Sequence, residues 1–261
     1  MALDSMREIF EKAAAGQIPF WQVILETDME QRQVTAEQSM EKMRVTWQAM
    51  LESVTAYQGT ERSRSGLVGG DGEKMRQYVE NGKGLCGAYL REVVATALSV
   101  GESNACMRKI VAAPTAGACG VLPAVLVPLY QAGMVSEEQI LQALYAASGI
   151  GAVIGYRACI AGAAGGCQAE IGTASAMAAA ALTHILGGTA QQCADAYAMA
   201  LANLLGLVCD PVAGLVEVPC VKRNVIGAVN AVSAANMAVA GITSRIPVDE
   251  VIDAMGEIGD A

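Results

Sequence analysis

The sequence predicts an all-α protein, a multi-helix globular domain, and three observations carry that expectation. Apolar residues make up 53% of the 261 residues while aromatics make up only 4%, so the apolar content is mostly Ala, Val, Leu, Ile and Met. Alanine is the best helix former, and small side chains let helices approach closely. Thr35-Ala36-Glu37-Gln38, Ser136-Glu137-Glu138-Gln139 and Thr189-Ala190-Gln191-Gln192 each have the form of a capping box, in which a hydroxyl and an amide satisfy free backbone donors at a helix start. Few runs alternate strictly between polar and apolar residues, so no sheet is expected.

The elements follow in order. Two short helices are expected over residues 4–15 and 18–31, and a longer one opens at the Thr35 box and runs to about Tyr57. Its charged face carries Glu37, Glu41, Lys42 and Arg44. Residues 58–72 read as a polar loop with Gly66, Gly69, Gly70 and Gly72. Composition shifts near residue 85, from ordinary and charged to small and apolar. This divides the chain into an N-terminal helical segment, 1–84, and a second region, 85–261. Helices are expected there at about 86–100, 120–132, 137–155, 168–186, 190–207, 226–241 and 248–257. Residues 209–225 read as the least regular stretch, which suits a ligand loop.

Composition also excludes. A net charge of −9 argues against a nucleic-acid partner, and Lys222-Arg223 is too small a basic cluster to hold a phosphate backbone. The apolar stretches 140–160 and 174–186 are interrupted by Gln142, Arg157, Thr183 and His184, so no membrane span is expected. The first residues, MALDSMREIFEKAAAG, lack the basic start and apolar run of a signal peptide. Together with eight cysteines, this points to a reducing cytoplasm and free thiols.

Three of those cysteines stand in surroundings that a packing cysteine does not need. Gly162, Gly165 and Gly166 lead into Cys167, Asp210 and Pro211 follow Cys209, and Pro219 precedes Cys220. Glycine lets backbone come close to a bulky group, and proline stiffens a loop. The pattern suits thiolates around an inorganic cluster, but by spacing alone buried free cysteines are the better reading, because no C-x-x-C pair accompanies it.

The stretches GLVCDPVAGLVEVPCVKRN, AGAAGGCQAEIGTASAMAAAA and VAAPTAGACGVLPAVL, with SRSGLVGGD and SRIPVDEVIDAMGEIG, closely resemble the alpha chain of bacterial iron–sulfur L-serine dehydratases. The resemblance runs from about Glu61 to the end, and more loosely through the N-terminal helices. It implies a [4Fe–4S] cluster held by the positions matching the family's ligands, Cys167, Cys209 and Cys220. It also implies L-serine as substrate and a separate beta chain as partner. The implied chemistry is Lewis-acid dehydration of serine, with an aminoacrylate that becomes pyruvate and ammonia. Threonine or cysteine could replace serine as substrate. The reading from another class is a metal-free structural or regulatory subunit with buried cysteines. Family chains usually continue past the VIDAMGEIG helix, where this sequence reads Gly259-Asp260-Ala261.

Other residues fit that frame to different degrees. Thr115 and Gly117 lie in a small-residue loop before a helix start, where free N–H groups can receive a substrate carboxylate, and the resemblance makes this a substrate loop. Lys222 follows Cys220 by two residues, so it either holds a substrate carboxylate or is a solvated charge. Asp210 either orients a ligand or caps its loop. His184, the one histidine, reads as a helix C-terminal residue favoured by the dipole, which leaves the catalytic base unassigned and expected on the partner chain. Cys86, Cys106, Cys119, Cys159 and Cys193 read as packing residues. No G-K-[ST] follows the glycine-rich loops, and no Schiff-base lysine stands beside a phosphate loop, so neither a P-loop nor pyridoxal phosphate is expected.

Overall fold

In a computed structural model, which describes residues 4–82 and 84–261, the chain is built from helices, and no strand occurs among the described residues. The helices are α1 (Met6–Gly16), α2 (Phe20–Arg32), α3 (Ala36–Thr55), α4 (Asp71–Glu80), α5 (Ala88–Ala105), α6 (Val121–Gln131) and α7 (Glu137–Arg157). They continue as α8 (Gly162–Cys167), α9 (Thr173–Ile185), α10 (Ala190–Ala202), α11 (Cys220–Val239) and α12 (Val248–Asp260). All three capping boxes form, with hydroxyl and amide both engaged at Thr35–Gln38, Ser136–Gln139 and Thr189–Gln192.

At the centre lies α9. Every residue from Thr173 to Thr183 is buried, because alanine on all faces leaves no polar side to present to water. Helices α6, α7, α10 and α11 surround it. The N-terminal helices share the same core: Trp47 of α3 and Ile24 of α2 are buried in one apolar cluster with Ile150 of α7 and Ala180 of α9. Helix α1 is tied to α12 where the Asp249 carboxylate accepts from the Met6 and Arg7 amides at 3.0 and 3.2 Å. No single helix among the described residues is long and apolar enough to cross a membrane; α7 and α8–α9 reach that length and composition only as a pair bent by 78°, and α9 lies in the core.

Four departures from the expected elements have physical causes. Helix α4 forms where no helix was expected and overlaps the expected 58–72 loop only at Asp71 and Gly72. Its polar sequence buries only Gly72, and its first amides are capped from a distance: Glu102 of α5 accepts from Asp71 N at 2.7 Å and Gly72 N at 3.2 Å. Helix α5 continues to Ala105 because Gly101 lies under Val221, where a β-carbon would stand 3.2 Å from Val221 Cγ1. The expected helix 168–186 opens with a single π turn at Gln168–Gly172 before α9, and the short helix α8 precedes it where none was expected. Gly166 kinks α8 just before Cys167 with φ +79°, in a position where a β-carbon would meet the Leu207 carbonyl at 2.9 Å. Finally, Cys220 is not in a loop. It opens α11, where its own burial and that of Val221 and Asn224 extend the helix back to Pro219.

Candidate active site around three cysteine thiols

The three cysteine segments reach one rim of the molecule through Arg223, three residues into α11 from Cys220. Its guanidinium donates to the Cys167 sulfur at 3.0 Å and to the Val208 carbonyl at 3.0 Å, and it pairs with Asp210 Oδ1 at 2.5 Å. One side chain thereby touches α8, both residues flanking Cys209, and the helix that begins at Cys220. With its side chain 13% exposed, Arg223 is far better shielded than a surface cation.

The thiols themselves differ. Cys167 and Cys220 are buried, Cys209 is exposed, and none is in a disulfide. Burial raises the Cys167 thiol, the Arg223 hydrogen bond and charge pull it back down, and charge on Cys209 and Glu170 raises it again. Cys220 is pushed up to about 11 by burial, with charge on Cys167 and Glu170 adding to it. Among the described residues, no three His, Cys, Asp or Glu side chains close on one point as ligands of a single ion do. Thiolates of an iron–sulfur cluster each go to a different iron, so they stand farther apart than ligands of one ion. By donor chemistry, Cys167, Cys209 and Cys220 suit such a group.

A second set of polar side chains fixes the surrounding backbone. The Gln168 carboxamide accepts from Gly206 N at 2.8 Å and donates to Gly165 O at 3.1 Å, while its own amide donates to Leu207 O at 2.9 Å. This locks the Cys167 turn to the strand of backbone leading to Cys209. Asn224 accepts from Gly120 N at 2.8 Å and donates to Gly117 O at 2.8 Å, which ties the 113–120 loop to α11.

The remaining candidate residues are placed as follows. Thr115 donates its hydroxyl to Glu170, and Gly117 lies against the same carboxylate, so close that a β-carbon would stand 2.6 Å from Oε2. Both therefore face Glu170, an acid that the sequence reading passed over. Lys222 points away, 73% exposed and 3.7 Å from Asp71, while its neighbour Arg223 takes the inward position. Asp210 is engaged by Arg223. His184 lies at the opposite end of α9, roughly 16 Å along the helix axis from Thr173 at 1.5 Å per residue, and burial lowers its pKa. Cys119 and Cys193 are packing residues, each pushed up to about 12 by burial. Cys86 and Cys159 correct the expectation of five packing cysteines, because both are exposed.

Sequence reasoning missed Glu170, Arg223 and Asn224. A signal existed for the first two: Glu170 is one helical turn after Cys167, and Arg223 one turn after Cys220, spacings that return a side chain to the same face. A small cavity of about 250 Å³ adjoins the site, lined by Gly162, Gly166, Gly206, Cys209, Ile258 and Gly259 among others.

The family model for the serine dehydratase alpha chain matches residues 15–261. A probable L-serine dehydratase alpha chain of Bacillus subtilis (strain 168) is 47% identical over 98% of this chain and 85% of its own length. The L-serine dehydratase alpha chain of Peptoniphilus asaccharolyticus is 40% identical over 99% of this chain and 89% of its own. The L-serine dehydratase TdcG of Escherichia coli (strain K12) is 48% identical over 62% of this chain, which is 36% of that longer protein.

Proposed function

This chain belongs to the serine dehydratase alpha-chain family, and we propose that it is the alpha chain of an L-serine dehydratase that converts L-serine to pyruvate and ammonia. In this reading Cys167, Cys209 and Cys220 hold a [4Fe–4S] cluster. The observation that carries it is the single guanidinium of Arg223, which draws the Cys167 sulfur and the backbone around Cys209 onto the helix that starts at Cys220. When bound through three thiolates, such a group supplies an iron with an open position, a Lewis acid for the substrate hydroxyl.

The chain's own residues do the positioning. Arg223 fixes the direction of the Cys167 sulfur, and Asp210 keeps Arg223 in place. Gly166 lets the Leu207–Val208 backbone pass close by, which sets where Cys209 projects. Thr115 and Gly117 form the substrate loop beside Glu170. Lys222 stands at the outer edge, where a substrate or partner carboxylate can reach it.

Removing the α-proton needs a positioned base. His184 is at the wrong end of α9, which supports placing the base on a beta chain. Val208, Val212, Leu215, Val216 and Ile226 are exposed in or beside the segments that carry the thiols, an apolar margin suited to a partner surface. The longer Escherichia coli relative, matched over 36% of its length, carries extensive further sequence on one chain.

The test is anaerobic loading with iron and sulfide, followed by iron analysis, visible absorbance, and pyruvate formation from L-serine with and without the beta chain. A brown chain that turns over only when mixed is the expected result. A colourless chain that retains no iron would sink the cluster assignment and favour a metal-free subunit.

A further inference from the structure

We infer that Glu170 receives the ammonium group of the amino-acid substrate, an inference that rests on the reading of the chain as part of an amino-acid dehydratase. Glu170 sits in the π turn that follows Cys167 and is half-buried. Its carboxylate lies between two glycines: a β-carbon would stand 2.6 Å from Oε2 at Gly117 and 3.0 Å at Gly162. No other residue type leaves that space. It stands one turn after Cys167 and against Gly162 of the helix that ends at Cys167, and its charge raises the Cys167 and Cys220 thiols.

The other acids around this rim are engaged. Asp210 is paired with Arg223, Asp71 with Lys74 and Lys222, and Glu217 accepts from the Ser63 and Ser65 hydroxyls. Among the described residues Glu170 makes no ion pair. Its bond from Thr115 uses one acceptor position of a carboxylate that offers about four. An α-amino acid arrives as a zwitterion, and an ammonium drawn out of water into a half-buried site needs an anionic acceptor. Glu170 is the carboxylate at the thiols with capacity to be that acceptor. Thr115 holds it in place, so the substrate loop acts on the substrate through this acid.

The test compares wild type and Glu170→Gln as cluster-loaded chains with their beta chain. Two ligands separate the roles: L-serine, and 3-hydroxypropanoate, which keeps the hydroxyl and carboxylate but has no ammonium. In Glu170→Gln the KM for L-serine is expected to rise roughly 10- to 100-fold, the loss of a hydrogen bond between charged groups. Inhibition by 3-hydroxypropanoate is expected to stay within about 3-fold, with iron content and visible spectrum unchanged. Glu170→Asp, which keeps the charge at shorter reach, is expected to recover part of the loss. A fall in kcat at unchanged KM would assign Glu170 to proton transfer and overturn the inference. Equal weakening of both ligands, or loss of iron in Glu170→Gln, would overturn it as well. If the wild-type complex fails to turn over L-serine, the dehydratase reading itself fails, and that result appears before any variant is compared.

Discussion

Along α9 the residues from Thr173 to Thr183 are buried and mostly alanine, whereas the rim carrying Cys167, Cys209 and Cys220 is joined by Gln168, Arg223 and Asn224. The interior is held by close approach of small side chains, which adds up over many weak contacts and tolerates no extra volume. The rim is held by a few directional bonds between segments far apart in sequence. Arg223 to Cys167 spans 56 residues, Asn224 to Gly117 spans 107, and Gln168 to Gly206 spans 38. A structure of this kind separates stability from chemistry. The alanine core places the rim, and the rim decides what the thiols can hold.

Substitutions that divide the two regions test this. The largest effect is expected from Cys209→Ala. Cys209 is exposed and contributes little to packing, so the variant should keep its helix content by far-ultraviolet circular dichroism while retaining no iron. A Cys209→Ala chain that binds iron normally would remove the rim's assigned role.

Alkaline pH probes the core next. Burial favours the neutral thiol of Cys193 and of Cys119, pushing each from 9.0 up to about 12 in the folded chain. Below pH 9 both folded and unfolded thiols are protonated and this contribution is fully present. Between 9 and about 12 the unfolded chain ionises first, so stability falls as pH rises, by on the order of 4 kcal/mol per thiol. Denaturation midpoints of the metal-free protein across that window should show the loss, and Cys193→Ala should make it measurably shallower, since Cys220 and buried tyrosines also titrate upward there. An unchanged slope in Cys193→Ala would mean the core thiols are not what titrates.

Smaller still is the effect of volume. Ala180→Leu inserts three heavy atoms at a fully buried position of α9 and should cost about 1–3 kcal/mol of stability. Iron binding per folded chain should not change, and if it did, core and rim would be coupled more tightly than their materials suggest.

The last comparison lies within the rim, between neighbours. Arg223→Gln removes the donor to Cys167 and leaves Asp210 unpaired, so iron release to a chelator should quicken by about 10-fold, the equivalent of one charged hydrogen bond. Lys222→Gln, at the exposed position, should change stability by no more than about 0.5 kcal/mol. Equal effects at the two positions would show that charge alone, not the inward contact, matters.

What the sequence determined by itself was local. The helical class followed from alanine content, and three helix starts followed from capping boxes whose partners are three residues apart. The cysteines with unusual neighbours, and their resemblance to a dehydratase alpha chain, were also legible, because motif and composition are written along the chain. Tertiary structure alone decided the rest. Helix α4 was hidden because its cap, Glu102, lies in another helix, and α11 began early because Val221 found burial against α5. Which of Lys222 and Arg223 faces inward depends on the rotation of α11 against α5 and α9. Glu170 could be seen to face Thr115 only once the π turn had set its direction. Side chains meet according to the packing of helices distant in sequence, and no local pattern specifies that packing, because it is settled by the shape of the whole buried surface.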